Sequence, residues 1–240
     1  MQNQECGKLL RTIRSQIKAA SSHQRAAGIR AYFHEPVDPS GVAAPQLKQI
    51  ARLVYREIKP WPVEDRDRLM EELWKSGKLE EGAIVCYVYR GFSKSCAERE
   101  FELFEKWIDQ YVGNWAHCDG VSSWLVGASI ANRPVLASKL ARWTKSKHRW
   151  KRRAAAVSLV KEAGAGRNTE TILQICQLLR DDADDMVRKG LGWLLKETYP
   201  RKPREVIRFL DDWRATAPRL VLRIAAEKMT AKDKKWLLTK

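Results

Sequence analysis

The sequence predicts an all-α fold, and three observations predict it. Apolar residues recur at helical spacing along almost the whole chain, breakers separate them at short intervals, and only one stretch has the unbroken apolar run of a strand. Leu9, Leu10, Ile13, Ile17 and Ala20 share one face of the first helix. The same pattern predicts helices over 46–58, 62–76, 80–89, 97–111, 115–131, 135–144, 150–163, 169–180, 183–198, 203–214 and 217–228, then a short tail helix. Between them fall "KPWP", "AGAGR", "YPRKP" and "TAP". The strand-like exception is "AIVCYVYRGF" (83–92); its flanking acids and the spacing of its neighbours favour a buried helix.

Helix pairs recur with a loose period of roughly 35–40 residues, near the HEAT range. The centres "RRAAAVSLV" (152–160), "RKGLGWLLK" (188–196) and "LVLRIAAEK" (220–228) look alike, each a basic residue, then Ala or Gly, then bulky apolars. Small residues there let inner helices approach their neighbours. The expected architecture is an α-α superhelix, a solenoid of HEAT-like helical repeats, whose inner helices line a concave surface. No linker stands out, so a single domain over 1–240 is expected. The longest irregular piece is "HEPVDPSGVAAP" (34–45), long enough to be functional.

Charge speaks about partners. Lys and Arg number 45 against 29 Asp and Glu, a formal net charge of +16. Nucleic acid is the first expectation, and a concave basic surface suits a duplex. Acidic membrane surfaces come second, and a membrane reading is weak: the longest uncharged run, 120–132, is too short for the ~20 apolar residues a span needs. No basic start followed by an apolar block marks a secretion signal. The five Cys include no C-x-x-C, which points to a reduced compartment without disulfides or structural zinc. The expected setting is cytoplasmic and nucleoid-associated, and a monomer is the default.

The densest basic segment is "KSKHRWKRR" (145–153), where Lys147, His148, Arg149, Lys151, Arg152 and Arg153 are candidate phosphate contacts at a loop and helix start. Arg188 and Lys189 are further candidates. In "RKGLGWLLKE" (188–197), Val187, Leu191, Leu194 and Leu195 form the core side, and Trp193 lies over Lys189 and Lys196.

"NWAHCDG" (114–120) raises a question of a different kind. With Asn114 as N-cap, Cys118, Val121, Leu125 and Ala128 make an apolar stripe. Trp115, Asp119 and Ser122 make a neighbouring one, with a carboxylate and a hydroxyl unsuited to a core. Spacing alone leaves two readings open: a functional Trp–carboxylate pair, or a partly buried Trp with Asp119 in a turn before Gly120. His117, Cys118 and Asp119 point about 100° apart and cannot share one metal ion. No P-loop, dinucleotide fingerprint or H-E-x-x-H occurs, and no cofactor or metal is expected.

Together these residues resemble the AlkD-type DNA glycosylases, all-helical HEAT-like proteins that remove alkylated purines. Tyr32 with "GVAAP" (41–45) is similar to the family's N-terminal Tyr and Gly-x-x-x-Pro element, although Ala43 and Ala44 stand where some relatives carry polar residues. Trp115 and Asp119 match the catalytic W-x-x-x-D. "WKRRAAAV" (150–157) matches the segment whose Arg falls on Arg153, and "GWLLKE" (192–197) places the second active-site Trp at Trp193. The resemblance covers nearly the whole chain with the motifs in order. It implies a monofunctional glycosylase acting on double-stranded DNA that contains alkylated bases. Asp119, Trp115 and Trp193 would be catalytic, Arg153 and Tyr32 would bind DNA, and contacts would run through sugar and backbone rather than a base pocket. The alternative is a non-enzymatic HEAT-like protein that binds damaged, branched or bent DNA. A protein–protein scaffold would explain the helices but not the charge.

Overall fold

The structure, a computed structural model, describes residues 2–239. They are helical with no strand among them, as the sequence predicts; the nearest thing to a sheet is an isolated bridge between Asp38 and Lys78. No helix of the described residues is long and apolar enough to cross a membrane. The chain forms two compact units, Met1–Lys94 with Tyr111–Gly120, and Ser95–Gln110 with Val121–Lys240.

The first unit contains α1 (Gln2–Ala20), α2 (His23–Tyr32), α3 (Ala44–Ile58), α4 (Val63–Trp74), α5 (Leu79–Gly91) and α7 (Trp115–Asp119), α6 being the Glu98–Tyr111 helix. α1 packs on α3 and α4, and α5 packs on α3, α4 and α7. α5 is the stretch with the strand-like run. Ile84, Val85, Cys86, Val88 and Tyr89 are all buried, and only the edge carrying Ala83, Tyr87 and Arg90 is more open, so a helix covered around most of its circumference produces the unbroken pattern. α2 has no counterpart among the expected helices. Only Ala26 is buried in "HQRAAGIRAY", so no apolar stripe marks it; a Ser22 side chain accepting from the Arg25 N–H caps it instead.

The second unit contains α8 (Gly127–Asn132), a 3-10 helix (Pro134–Lys145), α9 (Arg149–Val157), α10 (Val160–Gly164), α11 (Thr169–Leu179), α12 (Asp185–Thr198), α13 (Pro203–Asp211), α14 (Arg219–Ala225) and α15 (Ala231–Leu238). α12 sits between α9 and α14, its Val187, Leu191, Leu194 and Leu195 fully buried. These three helices carry the three look-alike centres. A Cβ on Gly190 would lie 3.2 Å from Arg153 Cγ of α9, and one on Gly192 would lie 2.9 Å from Ile224 Cβ of α14. Small residues therefore do what the sequence suggested, letting neighbours approach on both sides of α12.

Two expected helices are interrupted. The one over 150–163 tightens at Ser158 and Leu159, dividing α9 from α10. The one over 115–131 passes through a π-helical stretch, Gly120–Val126, before α8. A π turn is wider than an α turn, so residues after Asp119 rotate relative to Trp115. Ser122, expected to share the Trp115 stripe, is fully buried.

Candidate active site

Four consecutive residues at the start of α5, "LEEG" (79–82), hold the first unit's candidate site. The Leu79 carbonyl lies 2.9 Å from His117 Nε2. A carbonyl only accepts, so Nε2 carries the proton and Nδ1, 3.1 Å from Asn114 Nδ2, accepts from the amide. The Asn114 side chain also accepts from the His117 N–H at 2.9 Å, capping α7 as the sequence predicts. Glu80, 3% exposed, accepts from the backbone N–H groups of Ser40 (2.8 Å), Gly41 (2.8 Å) and Val42 (3.2 Å). Its carboxylate thus fixes the irregular segment that follows α2. Glu81 takes a forked contact from Arg14 of α1, at 3.1 and 3.2 Å. Gly82 leaves room for the rings of Trp74 and His117, each within 2.6 Å of where a Cβ would sit.

On that base stands α7. His117 and Cys118 face inward and are buried, whereas Trp115 and Asp119, one turn apart, are half-buried and reach solvent. Asp-Gly is no turn here. Gly120 is right-handed helical, and its missing side chain makes space for Cys86 of α5, whose Sγ would lie 2.9 Å from a Cβ. The Phe33 ring stacks on the Trp115 indole at 5.0 Å and 12°, and Tyr32 stands edge-on to it at 6.0 Å and 77°. Tyr32 is 70% exposed. The structure thus brings together Tyr32 and Trp115, two residues singled out in the sequence, and adds Phe33. No periodicity could have found Phe33, because it follows the helix that periodicity missed.

Burial holds the His117 pKa below its ordinary 6.5, outweighing the Leu79 hydrogen bond and the charge of Glu80. In the unfolded chain the ring takes its proton near 6.5, and in the folded protein only at lower pH. Its contribution is therefore complete above 6.5 and is lost as pH falls through that value toward the lowered one. His148 is shifted in the same direction by burial, so the diagnostic is a difference between variants. The melting temperature of wild type should exceed that of His117→Gln at about pH 7.5, and the gap should narrow by about pH 5. A gap that does not change with pH would contradict the assignment.

The second unit holds the other predicted residues. Trp193 is half-buried on α12, beside exposed Lys189, and Lys196 is paired with Glu227 at 2.8 Å. The basic segment is far less free than its composition suggests. Arg149 pairs with Asp184 at 3.0 Å, Lys151 with Glu105 at 2.9 Å and Asp109 at 2.7 Å, and Arg152 with Asp182 at 2.6 Å. Arg188 Nε donates to the Asp182 carbonyl at 2.8 Å. Arg153 is 6% exposed and donates from Nη1 to the Met186 carbonyl at 2.5 Å. Lys147 is exposed and His148 half-buried. The acidic run "DDADD" (181–185) supplies the partners of Arg149, Arg152 and Arg188 through Asp184 and Asp182.

The DNA alkylation repair enzyme family profile matches residues 13–229. The chain belongs to that family. Two solved structures share the fold of this DNA alkylation repair protein. A predicted DNA alkylation repair enzyme from Enterococcus faecalis superposes with a TM-score of 0.79 at 16% identity, over 88% of this chain and 97% of that one. The protein smu.31 from Streptococcus mutans UA159 superposes with a TM-score of 0.58 at 16% identity, over 77% of this chain and 100% of that one. Sequence comparison with curated proteins finds no match. Family membership supports a role in DNA repair with DNA as substrate.

Proposed function

We propose that this member of the family is a monofunctional DNA glycosylase that hydrolyses the N-glycosidic bond of cationic N3- or N7-alkylated purines in duplex DNA. The observation that carries the reading is α7: a carboxylate and an indole one turn apart, both open to solvent, with the two more reactive-looking neighbours, His117 and Cys118, turned into the protein.

Breaking the bond leaves positive charge on the deoxyribose, as in other oxocarbenium-like glycoside cleavages. Asp119 stabilises that charge electrostatically and positions the attacking water. The faces of Trp115 and Trp193 add cation–π stabilisation. An N3- or N7-alkylated purine already carries the positive charge and departs as a neutral base, so no general acid is needed. Arg153 grips a backbone phosphate. Its planar guanidinium suits a phosphate, and the hydrogen bond from Nη1 to the Met186 carbonyl fixes its orientation. Lys147, His148, Arg149, Lys151, Arg152, Arg188 and Lys189 supply the surrounding field, with exposed Lys147 and Lys189 the most available to phosphate. Tyr32 contacts DNA beside the lesion. Recognition runs through sugar and backbone without flipping the base into a pocket. The chain acts as one domain over 1–240, as a monomer, in the cytoplasm at the nucleoid.

The test is incubation of wild type with methylated duplex DNA, following free methylpurine by chromatography against spontaneous depurination. Release of free base with an abasic site left behind is the expected result. Tight binding to the duplex with release at the spontaneous rate would identify a non-enzymatic binder instead.

A further inference from the structure

We propose that Phe33 is a positioning residue for Trp115, holding the indole so that a single face is offered to the substrate. This rests on the glycosylase reading of Trp115 above. An indole has two faces, and both attract a cation. In this protein one of them is taken: Phe33 lies over it nearly parallel, with ring centroids 5.0 Å apart and planes 12° apart. Tyr32 stands edge-on to both rings, 5.9 Å and 82° from Phe33, 6.0 Å and 77° from Trp115. Stacked and edge-on pairs are the two favoured aromatic arrangements, so three rings brace one another and the indole plane is fixed.

The first unit explains why Phe33 can do this. Phe33 follows α2, and its N–H donates to the Ile29 carbonyl at 3.2 Å, closing the helix. The chain is then captured at 40–42 by the buried Glu80 carboxylate. Trp115 itself is the first residue of α7, immediately after the Asn114 cap, where a side chain is held by the helix on one side only. A first-turn indole without a stacked partner would sample several rotamers, and cation–π attraction weakens when the ring turns away from the charge. The cost of losing Phe33 should therefore appear in the chemical step and leave DNA binding nearly unchanged.

The experiment uses Phe33→Leu, which keeps apolar bulk but removes the stacking plane, and Phe33→Tyr, which keeps the plane. Each is compared with wild type and Asp119→Asn in single-turnover release of methylpurine, and thermal melting confirms that each folds. The same proteins are labelled with fluorotryptophan, and the Trp115 fluorine resonance is assigned by its absence in Trp115→Phe. Phe33→Leu should slow release about tenfold, the scale of a weakened cation–π contact, with DNA affinity changed less than twofold. The Trp115 resonance should move as the ring-current shielding of Phe33 disappears, and Phe33→Tyr should restore both. Equal rates for Phe33→Leu and Phe33→Tyr, or a Trp115 resonance unmoved in Phe33→Leu, would overturn the proposal. Failure of the glycosylase reading looks different, because wild type then releases no base or Asp119→Asn is as fast as wild type. The fluorine resonance still decides whether Phe33 orients the indole.

Discussion

Asp119→Asn should bind a methylated duplex as tightly as wild type and release alkylated base ~10²–10³-fold more slowly, the usual cost of losing one well-aimed electrostatic group. The substitution keeps the size and shape of the side chain and replaces a full negative charge with a dipole. Asp119 is half-buried on a helix whose inward residues are His117 and Cys118, so the change leaves the packing of α7 in place. Affinity for ordinary duplex DNA comes from phosphate contacts and should not fall, and removing a negative charge beside DNA could only raise it. Charge appears on the sugar only as the bond breaks, so the loss belongs in the rate of release and not in the binding constant. Single-turnover release and a binding isotherm on the same duplex separate the two. Excision at the wild-type rate would remove Asp119 from the mechanism. A parallel loss of affinity and rate would make it a binding residue.

Glu80→Ala should destabilise the fold by about 3–5 kcal/mol, a large share of the ~5–15 kcal/mol that holds a typical domain together. The carboxylate is 3% exposed and takes hydrogen bonds from three successive backbone N–H groups, those of Gly41 and Val42 being buried contacts. Removing it leaves these donors without an acceptor in a place water does not freely reach. Glu80→Gln keeps one acceptor oxygen but turns an amide N–H₂ toward N–H groups, and should fall between wild type and Glu80→Ala. Gly41 shares the same turn. Its φ is +77°, and a Cβ there would meet the Ser22 carbonyl at 2.2 Å and the Ala26 nitrogen at 2.7 Å, both backbone atoms. Gly41→Ala should displace the turn from Glu80, so Gly41→Ala with Glu80→Ala should cost less than the sum of the two. Melting or denaturant midpoints of the four proteins test this. Additive losses would show that carboxylate and turn act independently.

What could be read in advance follows from which interactions are local. Leu191, Leu194 and Leu195 announced the buried side of α12 because helical spacing alone sorts them. The small-residue centres announced which helices meet closely, because a helix can approach only where Cβ atoms are few. Asn114 as a cap was legible for the same reason, since its bond to the His117 N–H spans three residues. α2 was not legible. Its stability comes from a Ser22 cap and from what surrounds it, and with one buried residue it leaves no period to detect. The π turn after Asp119 was equally hidden, because it changes the register without changing the composition.

Charge shows the limit most clearly. The sequence counted six cations in 145–153, and that count stands. It could not say that Arg149, Lys151 and Arg152 face Asp184, Glu105, Asp109 and Asp182, because those acids are brought there by packing from some 30 to 46 positions away. By itself the sequence determined an all-α chain, its family, and a Trp and Asp one turn apart. Only the tertiary structure decided that Phe33 covers one face of that Trp, that Glu80 holds the turn at 40–42, and that Arg149, Lys151 and Arg152 are paired with acids. Helix periodicity is written in neighbours three and four residues apart, whereas stacking, buried carboxylates and ion pairs depend on residues that meet only after the helices have packed.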